Sequence, residues 1–314
     1  RWQARHGLWL DVRPKSERAA QLARGAAPPV KAVPIALDRR STCRAAFAAM
    51  LGSTLQQALA NAAVLMDEAG DAEHLHQLRV GLRRVRTVLR WFGAWSAAPQ
   101  LAAHLDAELR PTFARLGTQR DADVLAETLA AMPARDARPP QWRVPATAAG
   151  APEPPGAVLR EGPFSAQMLA LLRLATPAPL GTDEPEVSLA VAAARLLGRG
   201  QRQIVAAARA FDSAAPAEQH RTRRRLKRLR YATELLQSLL PAKRCQRALD
   251  AMRDALDALG HYNDLLVAHD LLAALPDPTA DERRALAWLL AQRAPARRRA
   301  ARLLGRVAAL PKWW

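Results

Sequence analysis

The sequence predicts an all-α protein: two four-helix bundles related by an internal repeat with pseudo-twofold symmetry, with a short β remnant at the N-terminus. Three observations lead there. The 314 residues are rich in Ala, Leu and Arg, half of them are apolar, and aromatics make up only 5%, a helix-forming composition. Apolar residues recur at three-to-four spacing through long stretches on both sides of the middle of the chain. Motifs of the first half return in the second at a nearly constant distance. His220 follows His76 by 144 residues, Leu249-Asp-Ala251 follows Leu105-Asp-Ala107 by 144, and Leu259-Gly260 and Asp264 follow Leu116-Gly117 and Asp121 by 143. One deletion in the third helix accounts for the change, so a duplicated unit fits the pattern.

Taken in order, residues 1–40 read as non-helical. Leu8, Leu10 and Val12 alternate with Trp9 and Asp11 like a strand, and a Pro-rich exit follows through Pro28, Pro29 and Pro34. Residues 41–132 form the first helical repeat. Ser41 is placed to cap a helix through Phe47, Met50, Leu51, Leu55, Leu59 and Leu65. A second helix spans about 71–94, a third about 99–116 with a stop at Leu116-Gly117, and a fourth starts near Arg120. Residues 133–186 are Pro-rich and read as a linker without a packed core, interrupted by a short apolar helix at 164–175. Residues 187–314 form the second repeat, with helices at about 187–212, 217–240, 243–259 and 262–275, and a last one opened by a Thr279–Glu282 capping box.

Lys and Arg number 47 against 29 acids, a net charge of +18. That balance favours a polyanion as partner. The charge is also patterned. His76, Arg79, Arg83, Arg86 and Arg90 fall at offsets 0, 3, 7, 10 and 14, one stripe roughly 80° wide on a helix. His220, Arg223, Lys227 and Arg230 repeat offsets 0, 3, 7 and 10. Arg suits phosphate because its planar fork donates several hydrogen bonds. One cation per turn, about 5.4 Å apart along the axis, can follow an extended chain of negative charge. Acids on the neighbouring third helices (Asp106, Glu108, Asp250, Asp254 and Asp257) are the alternative counter-charge.

His76 and His220 fit two roles equally, a phosphate donor or a His bonded to a backbone carbonyl. Asp121 and Asp264 sit where a helix begins and fit a capping role better than an acid–base pair. Arg120 is placed for anion contact; its counterpart Asn263 lacks the charge. Arg221 and Arg225 leave the stripe, as do Arg297, Arg298 and Arg299, and read as solvated.

Other classes find less support. Cys43 and Cys245 alone make neither a disulfide framework nor a metal site, and they suit a reducing cytosol. No apolar run approaches the roughly 20 residues of a membrane span. There is no P-loop, and no helix-turn-helix, zinc-finger or stacking-aromatic pattern. Nucleic acid remains the alternative partner on charge alone. The opening Arg1, in place of Met, suits a piece of a longer protein.

With these motifs in view, residues 41–314 resemble the CHAD domain, the conserved-histidine α-helical domain. Its first motif is matched by His76, Arg79, Arg83, Arg84 and Arg86, and its second by His220, Arg223, Lys227, Arg230, Tyr231 and Glu234. Leu-Gly-x-x-Arg-Asp at 116–121, Leu-Gly-x-x-Asn-Asp at 259–264 and the closing Trp313-Trp314 match too. Residues 11–22 resemble the last hairpin of a CYTH, or triphosphate-tunnel, domain at Lys15, Glu17, Arg18 and Leu22, and depart from it at Pro14, Ala19 and Ala20. The tunnel's metal-holding Glu-x-Glu-x-Lys strand has no counterpart.

The resemblance implies a non-catalytic module, without cofactor, that binds inorganic polyphosphate in a basic groove. It implies a cytoplasmic protein associated with polyphosphate granules. The expected contacts are His76, Arg79, Arg83, Arg84, Arg86, Arg90, Arg120, His220, Arg223, Lys227, Arg228, Arg230 and Tyr231. Pseudo-twofold packing would bring both stripes to one groove. Because Arg90 aligns with Glu234, the first stripe is expected to carry more anion contact at its C-terminal end.

Overall fold

The structure is a computed structural model that describes residues 5–6, 8–117, 126–133, 143, 153–176 and 187–314. Its described residues hold helices and no strand. In chain order these include α1 (Lys15–Arg24), α2 (Cys43–Met66), α3 (Ala72–Phe92), α4 (Pro99–Arg115), α5 (Pro155–Arg160), α6 (Gly162–Ala175), α7 (Leu189–Ala210), α8 (Pro216–Leu235), α9 (Ala242–Ala273) and α10 (Ala280–Ala308). Contacts divide the chain into two compact units that interleave in sequence. One contains residues 1–116, 153–196 and 231–240; the other contains 117–152, 197–230 and 241–314.

In the first unit α2 is the central element. It is apolar nearly all round, so it must be covered on several sides. Helices α3, α5 and α6 all pack on it. Met50, Leu51, Leu55, Ala58 and Ala62 are fully buried there, each large side chain contributing roughly 1.5–3 kcal/mol. Thr42, one residue after Ser41, is the N-cap and accepts from the Ala45 amide. Gly81 of α3 lets two backbones approach: a Cβ there would come within 3.0 Å of Ala58 Cα. Asp71 and His74 form a capping box at the start of α3. The Asp71 carboxyl is held below its usual range, first by the His74 amide it accepts from.

The stretch expected to be an unpacked linker adds to this core. Proline occupies the first turn of α5, where its missing N–H costs nothing. Val158, Leu159, Phe164, Met168 and Leu171 are buried. These five apolar side chains, adjacent in α5 and three to four residues apart in α6, outweigh the flanking prolines.

The N-terminal expectation is corrected. Residues 8–14 lie without ladder partners, so their alternation makes no strand. Residues 11–22, likened to a hairpin, run into a helix instead: Lys15–Arg24 form α1. Ser16-Glu-Arg-Ala-Ala-Gln-Leu22 is good helix-forming sequence, and Glu17 sits in the first turn where it complements the dipole. The likeness to a tunnel-domain hairpin is therefore one of sequence and not of local structure. Residues 26–40 have no regular structure but are tied down. The buried Asn61 side chain bonds both the Val30 amide and its carbonyl, at 3.1 and 2.9 Å. The buried Arg13 bonds Asp11 and Asp67, each at 2.7 Å.

In the second unit α9 packs along α10. The helix break expected at Leu259-Gly260 is absent, and α9 runs unbroken for 32 residues. A helical Gly costs only about 1 kcal/mol, and the buried apolar residues on both sides of it carry the helix through. Thr279 and Glu282 form the expected capping box. Glu282 is fully buried and also takes the Arg143 guanidinium at 2.7 Å. That pairing, then the Thr279 amide, hold its carboxyl far below the usual range. Trp313 is buried, edge-on to Trp314, whose ring lies beside Gly198 of α7.

Candidate anion-binding site

The first stripe lies on α3, begun by Asp71 and ended at Phe92. Its apolar flank, with Leu78, Leu82, Val85 and Leu89, is buried and fixes the helix's rotation. Three of its arginines converge on one ring. The guanidinium carbons of Arg79, Arg83 and Arg86 lie 5.7, 5.6 and 5.6 Å from the centre of Phe113 on α4. Each pair of these cations is thus at most about 11 Å apart, close to the screening length at physiological salt. Three exposed-type cation–π contacts yield roughly 2–3 kcal/mol. The mutual repulsion is of the same order.

The C-terminal end of the stripe is occupied differently. Asp106, 5% exposed, accepts from Arg86 Nε at 2.9 Å and from Arg90 Nη2 at 2.5 Å. Arg86 and Arg90, at the end expected to carry more of the anion contact, thus both meet a buried carboxylate. Among the described residues no carboxylate pairs with Arg83. Of the other acids weighed as counter-charge, Glu108 lies 3.1 Å from His104 of its own helix, and Asp250 bonds Gln246 and Arg253 of its own helix.

Two residues matched to the family motifs are not on the stripes. Arg84 is 3% exposed and donates to Gln57 Oε1 of α2 at 3.0 Å. Its offset of 8 from His76 turns it well away from the stripe. Tyr231 is 3% exposed and belongs to the core. Arg228 stands at the same offset of 8 from His220 and is half-buried. His76 is exposed on α3. Arg120 and Asp121 lie outside the described residues.

The second stripe lies on α8. His220 Nδ1 is 2.9 Å from Asn263 Oδ1 on α9, so with the amide oxygen as acceptor the ring donates there. Arg223 lies over Gly260, where an added Cβ would come 3.4 Å from its Nη2. Lys227 and Arg230 are half-buried. Glu218 bonds Arg221 at 2.5 Å and Arg225 at 2.9 Å, so these two cations, read as solvated, share one carboxylate. The Arg221 fork, helped by Arg225, holds the Glu218 carboxyl below its usual range.

Phe113 is the residue that sequence reasoning missed. Its signal was its position, seven residues and two turns after Asp106, hence on the same face of α4.

Among the described residues no cluster of His, Cys, Asp or Glu could hold a metal ion, and no helix is long and apolar enough to cross a membrane. The chain matches no curated protein. The crystal structure of the CHAD domain from the plant Ricinus communis is similar to it, with a TM-score of 0.72 and 27% sequence identity over 91% of this chain and 98% of that one. The CHAD domain model matches residues 49–273, which include both cation stripes. On the extent of that match, the chain belongs to the CHAD-domain family.

Proposed function

We propose that the chain binds inorganic polyphosphate along its cation stripes and has no catalytic activity of its own. The observation that carries this reading is the convergence of Arg79, Arg83 and Arg86 on Phe113, with Asp106 meeting only the far end of the stripe. Forks spaced one turn apart match a ligand with regularly repeated negative charge. A single phosphate would engage one or two of them. The family resemblance adds the cytoplasmic polyphosphate granule as the setting, with the chain as a targeting or scaffolding module.

The test is binding to long-chain polyphosphate and to duplex DNA across a salt series, with phosphate release measured in parallel. Both polyanions lose affinity as salt rises. Polyphosphate is expected to bind more tightly at physiological salt, and Arg79→Glu with Arg223→Glu to abolish its binding while helicity is kept. Tighter binding of DNA overturns the reading in favour of nucleic acid. Metal-dependent phosphate release overturns its non-catalytic part.

A further inference from the structure

We infer that the outward faces of α7 and α10 form a second contact surface for polyphosphate, one that shares no residue with the stripes on α3 and α8 and that engages long chains only. The inference rests on the polyphosphate reading and adds to it a place for the length of chain beyond one stripe.

Both helices are marked by charge of a single sign. Helix α7 carries no acid, and residues 283–314 hold nine cations and no acid. In α7, Leu196, Leu197 and Ile204 are buried, while Arg199, Arg202 and Arg209 are exposed. Offsets of 0, 3 and 10 keep these three within about 80° of one another around the helix. In α10, Ala296, Ala300 and Leu304 are buried. Arg298, Arg302 and Arg306 follow them two positions later, so they point away from the core and are exposed. They recur every four residues, about 6 Å of helix rise.

The two helices lie antiparallel. Gln201 Nε2 donates to the Leu310 carbonyl at 2.8 Å near one end, and Arg297 lies 3.9 Å from Asp212 near the other. Helices packed side by side have axes about 8–10 Å apart, close to one screening length. Among the described residues no carboxylate pairs with any of these six arginines. The exposed face of α9 is built otherwise: Asp250 pairs with Arg253, and Asp254 and Asp257 stand exposed on the same helix. Solvation is served by interspersed signs of that kind. Like charges four residues apart weaken a helix, and α10 has two such pairs in succession, Arg298–Arg302 and Arg302–Arg306. A polyanion laid across them removes the repulsion, and Arg forks suit phosphate oxygens. A flexible chain held on a stripe stands at high local concentration for this face, whereas duplex DNA is stiff over about 150 base pairs. Alone the surface is too exposed for tight binding; joined to a stripe by one long chain it adds avidity.

The experiment titrates the full chain with tripolyphosphate, long-chain polyphosphate and duplex DNA across a salt series. Two variants remove equal charge. One combines Arg298→Gln, Arg302→Gln and Arg306→Gln on α10; the other combines Lys243→Gln, Arg244→Gln and Arg247→Gln, exposed at the start of α9. The α10 variant is expected to weaken long-chain binding roughly tenfold at physiological salt and to lower the slope of log affinity against log salt by about 2–3. Its affinity for tripolyphosphate should stay within about twofold of wild type, as should both affinities of the α9 variant. If the α10 variant loses thermal stability, Arg199→Gln with Arg202→Gln on α7 supplies the same comparison. Equal weakening of the short and long ligands, or an equal effect of the α9 variant, overturns the inference, since net charge alone would then account for the loss. Unchanged long-chain binding in the α10 variant also overturns it and leaves the polyphosphate reading standing. A loss confined to duplex DNA overturns it in favour of nucleic acid at this face. Failure of the wild type to bind either polyphosphate defeats the function itself, and this surface with it.

Discussion

The stripe on α3 and the stripe on α8 carry the same residue types at the same offsets, yet their surroundings treat them differently. On α3, a buried Asp106 takes Arg86 and Arg90, and the Phe113 ring collects Arg79, Arg83 and Arg86. On α8, His220 leans on Asn263 and Arg223 lies over Gly260. Asp250, the repeat counterpart of Asp106, turns to Gln246 and Arg253 of its own helix. Helical spacing decides which cations share a face. The helix packed against that face decides what each of them meets.

The strongest way to break this comparison is to remove cations from each end of the α3 stripe. Arg79→Gln with Arg83→Gln is expected to weaken polyphosphate binding roughly a hundredfold, the loss of two charge-assisted contacts. The slope of log affinity against log salt should fall by about 2. Arg90→Gln should cost roughly threefold or less, because Asp106 already occupies its fork. Equal effects at the two ends, measured by titration across a salt series, would show that Asp106 does not divide the stripe.

Removing the carboxylates comes next. Asp106→Asn leaves two arginines facing a neutral amide in a buried place, at an expected cost of about 1–3 kcal/mol in denaturant unfolding. The freed Arg86 and Arg90 should raise polyphosphate affinity a few-fold. Asp250→Asn, on a partly exposed helix face, should stay within about 0.5 kcal/mol and leave binding unchanged. A large effect of Asp250→Asn would make the two stripes alike.

These differences mark how far the sequence could be read. Periodicity and capping chemistry are local, so α3 after Asp71, α10 after Thr279, the short helix at α6 and the two stripes were all legible. What depends on a neighbour was not. Gly260 looks like a helix stop until Arg223 is seen packed on it. Arg84 and Tyr231 belong to motifs, but their side chains are buried. Phe113 is an ordinary apolar residue until three arginines stand around it. Residues 8–14 alternate like a strand but have no ladder to join, and 15–24 follow their own helix propensity.

The second unit does have a buried acid, but it is used away from its stripe. Glu282 caps α10 and holds Arg143, and its carboxyl stays ionised well below the ordinary range of about 4.5. A depressed folded-state pKa gives stability that is present above the unfolded value and is lost as pH falls through the folded one. Wild-type protein should therefore lose part of its stability progressively below about pH 4.5. Glu282→Gln should be less stable at neutral pH and show a shallower acid limb, with polyphosphate affinity at pH 7 unchanged. A thermal melt series over pH reads both. A binding defect in Glu282→Gln would tie this cap to the second stripe.

The smallest expected effects separate two glycines. Gly81 on α3 faces backbone: a new Cβ would sit 3.0 Å from Ala58 N and Cα, atoms that move only if α2 moves. Overpacking of about 1–3 kcal/mol should exceed the gain of about 1 kcal/mol from replacing a helical glycine, so Gly81→Ala destabilises. Gly260 on α9 faces the end of a flexible side chain, with Arg223 Nη2 at 3.4 Å. There the helix gain should win, and Gly260→Ala is expected to raise stability by up to about 1 kcal/mol. The same methyl displaces the Arg223 fork slightly, so polyphosphate affinity should fall about twofold, within the range of a strained charge-assisted contact. Greater stability with unchanged affinity would mean that Arg223 serves packing on α9, which would leave Lys227 and Arg230 as the working part of the second stripe.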